Sequence, residues 1–165
     1  MSIRIEISGE KSIDEVIGRL VRYQSWIAQK ANIIAERLAS IGGVKVSTDF
    51  SRSVYVGEKD VSVSVENIGD GKYAIIASGE TVLILEFGAG VTYGYGHPQA
   101  TEFGMGPGTY PNGKGHWDDP KGWWIPKSAG GGHTYGNPPN MPMYNTEQEL
   151  KKEIERVARE VFNSD

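Results

Sequence analysis

The sequence predicts an α+β fold: a long N-terminal helix packed on a small antiparallel β-meander, then a long Gly/Pro/aromatic-rich loop and a C-terminal amphipathic helix. Three observations predict it. Apolar residues step by four and three from Ile13 to Ile41, short β-prone segments crowd between 44 and 77, and a capping signature opens a second amphipathic stripe at Thr146. The 165 residues suit one domain. It divides into an α+β body (1–87), an extended loop or arm (88–142) and a helix that returns to the body (143–165).

In the first helix, Ser12 precedes Ile13 and Glu15 follows three residues on, a capping-box pattern in which hydroxyl and carboxylate satisfy orphan amides at a helix start. Ile13, Ile17, Leu20, Gln24, Ile27, Ala31, Ile34, Leu38 and Ile41 then share one face. Gly42-Gly43 is expected to end the helix. Thirty or so residues at about 1.5 Å each make a rod of roughly 45 Å, which should overhang its own sheet and offer surface to a neighbour.

Four strands are expected next, beginning at Val44-Lys45-Val46, Val54-Tyr55-Val56, Val61 to Val65 and Lys72 to Ala77. The third alternates most cleanly, and Gly69-Asp70-Gly71 is a hairpin signal before the fourth. Short links between consecutive strands favour an antiparallel meander with the long helix on its apolar face. Residues 80–87 fit a strand or a short helix closing on Glu86-Phe87-Gly88 equally well, because a short apolar run has no decisive period. Thr146 with Glu149 is a second capping box. Leu150, Ile154, Val157 and Val161 form the stripe that should dock beside the first helix, while Glu147/Lys151 and Glu155/Arg159 are placed for i,i+4 pairing.

Residues 88–142 differ in kind. They hold 14 of the 22 glycines, all eight prolines and three of the four tryptophans, with only six charged side chains, so a large aromatic surface must be buried somewhere. Trp117, Trp123, Trp124, Tyr110 and Tyr135 are the candidate subunit contacts, since Trp and Tyr bury wide, rigid area with few rotamers to freeze. The chemistry of catalysis is thin by comparison. His97, His116 and His133 lie 19 and 17 residues apart, a spacing of no compact metal motif, and Asp118-Asp119 near His116 could complete a site only through three-dimensional geometry that spacing does not supply. The Gly-x-Gly repeats lack a phosphate loop's strand–turn–helix setting, and no Gly-x-Ser-x-Gly elbow or cysteine nucleophile is present. No catalytic, metal or cofactor residue is expected. A net charge of −4 offers no global basic field for nucleic acid, and no apolar run approaches a membrane span, so a small, soluble protein made in the cytoplasm is expected.

A resemblance attaches to this order of elements. After the long helix and meander come Leu85-Glu86-Phe87-Gly88-Ala89-Gly90. A glycine-rich insert follows, with Gly108-Thr109-Tyr110, Trp117, Gly122-Trp123-Trp124, Thr134-Tyr135-Gly136 and Pro138-Pro139. Pro142-Met143-Tyr144 then lead into the final helix. In that order they resemble the neck or tail-completion proteins of long-tailed bacteriophages, the family typified by the tenth gene product of Hong Kong 97. The resemblance implies a non-enzymatic virion protein without cofactor, assembled in the bacterial cytoplasm. It implies a homo-oligomeric ring, six- or twelve-fold, at the head–tail junction, joining a head-closure or connector protein to the tail terminator or tail tube. DNA would pass through without sequence-specific binding. Glu86, Phe87, Gly88 and Gly90, with Pro142, Met143 and Tyr144, would be hinge points where the arm leaves and rejoins the body. The competing expectation is a carbohydrate- or host-surface-binding module using the aromatic loop.

Overall fold

A computed structural model describes residues 10–93, 96–105 and 119–164. Its order is α1 (Glu10–Arg52), β1 (Ser62–Gly69), β2 (Lys72–Ser78), α2 (Val82–Phe87), β3 (Trp123–Trp124), β4 (His133–Thr134) and α3 (Pro142–Asn163), with a short 3₁₀ turn at Lys127–Ala129. The α+β architecture is the expected one: a long first helix, a small antiparallel sheet and a C-terminal helix.

Helix α1 is longer than its local signals predict. It runs 43 residues, about 65 Å at the usual rise, straight through Gly42-Gly43 and the 44–46 segment expected as a strand. Ser12 therefore sits inside a helical turn rather than at its cap. Tertiary packing overrides the two glycines, each about 1 kcal/mol poorer than Ala in a helix. Both are buried, and a Cβ on Gly42 would come 2.5 Å from Ile75 Cδ1 and 2.8 Å from Leu150 Cδ1. One on Gly43 would collide with Val65 Cγ2. Without side chains there, the hairpin and α3 both approach the α1 backbone closely. The helix ends where Lys59 Nζ donates to the carbonyls of Phe50 (3.5 Å), Ser51 (2.5 Å) and Ser53 (3.0 Å), a cation set on the negative end of the helix.

The meander reduces to one hairpin. β1 and β2 pair antiparallel from Ser62↔Ser78 to Gly69↔Lys72, with an irregularity between Asn67 and Gly69. Asp70 (φ 51°) and Gly71 (φ 69°) form the two-residue turn, both left-handed as a primed turn demands. Val54-Tyr55-Val56 is not a strand. The Asn140 side chain stands in for a neighbouring strand: its Oδ1 accepts from Val54 N (2.8 Å) and its Nδ2 donates to Val54 O (3.2 Å). Residues 82–87 are helical, and Asp60 secures the entry to that helix by accepting from Glu80 N (2.5 Å), Thr81 N (2.9 Å) and Thr81 Oγ1 (2.5 Å).

α3 starts at Pro142, four residues before the expected cap, so Thr146 lies in the second turn. Its side chain is buried, and its hydroxyl has no hydrogen-bond partner among the described residues. α3 runs antiparallel along α1: Lys45 pairs with Glu149 (3.1 Å), Arg37 with Glu160 (3.9 Å), Lys30 Nζ donates to Val161 O (2.8 Å), and Trp26 meets Phe162 edge-on. The Glu147–Lys151 (2.7 Å) and Glu155–Arg159 pairs form on its outer face as expected. Val46, Phe50 and Leu85 make the innermost core. Tyr55, Val61, Val63, Ile75, Ala77, Val82 and Met143 close around it, so the core lies directly beneath the point where residues 88–142 leave and rejoin the body.

Candidate interaction surface

The excursion is fastened at its base by main-chain and side-chain bonds that leave few polar groups unpaired. At Gly88 (φ 77°) the chain turns out of α2 while its N–H closes on Ile84 O (2.9 Å). A Cβ there would lie 2.8 Å from both Asn137 O and Pro139 N, so only glycine lets the outgoing and returning chains touch. Ala89 and Asn137 exchange both backbone bonds (2.8 and 3.0 Å) as an antiparallel bridge, and Asn140 N donates to Leu85 O (2.9 Å).

Glu86 completes the joint. The first residues of a helix carry amides with no intrahelical partner. In α3 the N-cap is Met141, whose side chain has no oxygen, and the first helical residue is Pro142, which has no N–H. The next two amides both donate to Glu86: Met143 N to Oε2 (2.8 Å) and Tyr144 N to Oε1 (2.9 Å). Asn145 N then makes the first helical bond, to Met141 O (2.9 Å). A buried carboxylate from α2 thus caps α3 and places negative charge at its positive end. The same Oε1 receives His97 Nε2 at 3.1 Å. Because His97 Nδ1 accepts from Gln99 N (3.1 Å), the bond pattern assigns the ring proton to Nε2, which donates to Glu86. His97 is itself buried, 4.3 Å from the Phe87 ring and 5.4 Å from Tyr144 between centroids.

Further out, β3 and β4 pair Trp123↔Thr134 and Trp124↔His133. Alternation along a strand sends the two tryptophans to opposite faces. Trp123 turns inward and is half-buried: its ring edge would lie 3.1 Å from a Cβ on Gly90, which leaves no room there for a side chain. Trp124 turns outward and is 76% exposed. It meets His133 edge-on at 5.1 Å, and His133 meets Tyr135 edge-on at 5.0 Å, with Tyr135 54% exposed. His133 and Tyr135 lie two residues apart on one side of the ribbon and Trp124 stands opposite His133, so three rings form a solvent-facing row.

The structure brings Glu86, Phe87, Gly88, Pro142, Met143 and Tyr144 together at the joint, with Gly90 one step beyond beneath Trp123. Trp124 and Tyr135 belong to the exposed row; Tyr110, Trp117, His116 and Asp118 lie outside the described residues. Sequence reading did not find His97, Asn137 or Asn140 as joint residues. The available signal was weak: buried polar side chains in an otherwise loop-like stretch, with no fixed spacing from the groups they serve. A polar cleft of about 400 Å³ lies between α1 and α3, lined in part by Lys45, Asp49, Arg52, Asn145, Glu149 and Lys152. Lys45 bonds to both Asp49 (2.9 Å) and Glu149 (3.1 Å), which raises its pKa, so it stays a charged ammonium balanced by two carboxylates in the cleft wall. Among the described residues no three His, Asp or Glu side chains gather as a metal site, and no helix is long and apolar enough to cross a membrane. No protein-family model matches the chain, and no curated protein or solved structure does so either.

Proposed function

We propose that this chain is a non-enzymatic structural subunit of a long-tailed phage virion, a neck or tail-completion protein that joins head to tail as part of a homo-oligomeric ring. The observation that carries the reading is the outward row of Trp124, His133 and Tyr135, held on an excursion whose two ends are clasped to the body. A ring needs head-to-tail contacts between unlike surfaces. A projecting aromatic ribbon on one side of a subunit suits such a contact, because rigid rings lose little entropy when they dock. The ordered resemblance of the Glu86-Phe87-Gly88 and Pro142-Met143-Tyr144 elements supports the junction in particular. Head-closure or connector protein on one side and tail terminator or tail tube on the other are its partners in this reading. DNA passes through a ring whose subunits carry net negative charge.

Two experiments test it. In lysates from a phage or prophage deleted for this gene, electron microscopy should show separate DNA-filled heads and finished tails, rescued by supplying the protein. In W124A/Y135A the isolated protein should keep its thermal transition while incorporation into particles falls. Intact particles that fail to adsorb, together with micromolar calorimetric binding of cell-wall fragments by the aromatic row, would replace the reading with a carbohydrate- or host-surface-binding module.

A further inference from the structure

The stripe that predicts α1 is largely left in solvent by the fold. Contacts to α3 and the hairpin use another part of the helix circumference: Trp26 and Lys30 against the end of α3, then Ala39, Gly42, Gly43, Val46 and Phe50 against the sheet and core. From Ile13 to Arg22 every side chain except Val16 and Gly18 is exposed. Ile13, Ile17, Leu20, Val21 and Ile27 are each 40–54% exposed, although all are large and apolar. Together they present on the order of 450 Å² of apolar surface, the size of the largest such patch on a typical monomer, which is often a functional one.

The spacing says what fits there. A lone amphipathic helix needs a period of 3.6, whereas this stripe repeats at 3.5 over four heptads, the period of a supercoiled seam. Ile17, Gln24, Ala31 and Leu38 fall at a, and Ile13, Leu20, Ile27, Ile34 and Ile41 at d. The flanking positions are compatible with self-pairing: Val16 and Tyr23 at g would meet Val21 and Ala28 of a parallel neighbour at e, with no like charges opposed. Gln24 sets the direction. In a parallel, in-register pair a faces a, so the two amides hydrogen-bond each other. In an antiparallel pair a faces d, and Gln24 would be buried against isoleucine or leucine without a partner. Two such stripes with their flanks bury roughly 1,000 Å² or more, enough for a specific interface.

We infer that the N-terminal half of α1 is a self-association surface, on which further copies of this chain pack in parallel through the 13–31 heptad seam. The inference concerns the isolated chain and does not depend on the virion reading. It is tested by light scattering coupled to size exclusion, on the full purified chain from about 1 to 200 μM. The expected result is a mass at least twice the 18.0 kDa of one chain, collapsing to one chain in L20D while the far-UV helical signal is kept. Because the chain has no native cysteine, Q24C supplies a second readout. Its thiols should cross-link within the oligomer under mild oxidation, since an antiparallel pairing such as Ile17 against Leu20 would hold the two positions about 16 Å apart. A monomer across that range, an oligomer that L20D leaves intact, or an oligomer in which Q24C does not cross-link would each overturn it.

Discussion

Removing the Glu86 carboxylate should unfasten the end of α3 from α2, and the cost can be worked from the contacts. Glu86 is buried and accepts from Met143 N at 2.8 Å, Tyr144 N at 2.9 Å and His97 Nε2 at 3.1 Å. A hydrogen bond to a charged group contributes about 1.5–3 kcal/mol, and a negative charge at a helix N-terminus about 0.3–1 kcal/mol. Against this stands the carboxylate's own desolvation, several kcal/mol for a buried ion, which Glu86→Ala relieves. Water entering the vacated space would also serve some of the freed donors. The net loss for Glu86→Ala should be about 3 kcal/mol, a fall of roughly 6–12 °C in Tm for a chain of this size. Glu86→Gln should lie between, at about 2 kcal/mol, because its single carbonyl can serve one side while its amide faces another donor. Urea unfolding followed by circular dichroism gives both values. Hydrogen exchange should show faster exchange at the Met143 and Tyr144 amides in both variants. A Glu86→Ala protein within about 0.5 kcal/mol of the parent, with those amides still protected, would refute the capping argument.

Other perturbations have definite signs. Bonds from the Thr81 hydroxyl and from the Glu80 and Thr81 amides hold the Asp60 carboxyl at about 2, below its ordinary 3.8. The stabilisation is therefore present above about pH 4 and lost as pH falls from there towards 2. Asp60 is exposed, so solvent screening leaves about 1 kcal/mol of it, and D60N should flatten the acid limb of a plot of urea midpoint against pH. G42A should destabilise by about 1 kcal/mol despite better helix propensity, because two side chains from different elements must move to admit the methyl group; a stabilised variant would show that both yield freely. Lys59→Met should cost about 1 kcal/mol by exposing the last carbonyls of α1, read as earlier thermal fraying of that helix.

Period and hairpin chemistry determined a good deal by themselves. The first and last helices, the Asp70-Gly71 turn and the surface pairing of α3 are local properties, set by side chains three or four residues apart or by a φ that glycine tolerates. The same locality misplaced the boundaries. Gly42-Gly43 is a stop signal by propensity, yet the hairpin and α3 press against that backbone and make the missing side chains a packing requirement. Thr146 and Glu149 form a capping pattern in sequence, but the cap of α3 is supplied by a carboxylate 57 residues from its first recipient. Val54 gets its partners from Asn140 across 86 residues. Of the joint, the sequence offered the Glu86-Phe87-Gly88 and Pro142-Met143-Tyr144 elements without saying that one caps the other. It placed Trp123 and Trp124 side by side without showing which of them faces water. Such partnerships have no spacing to read, because they depend on where the chain returns after a long excursion. Only the folded backbone brings those orphan amides and that carboxylate within 3 Å of each other.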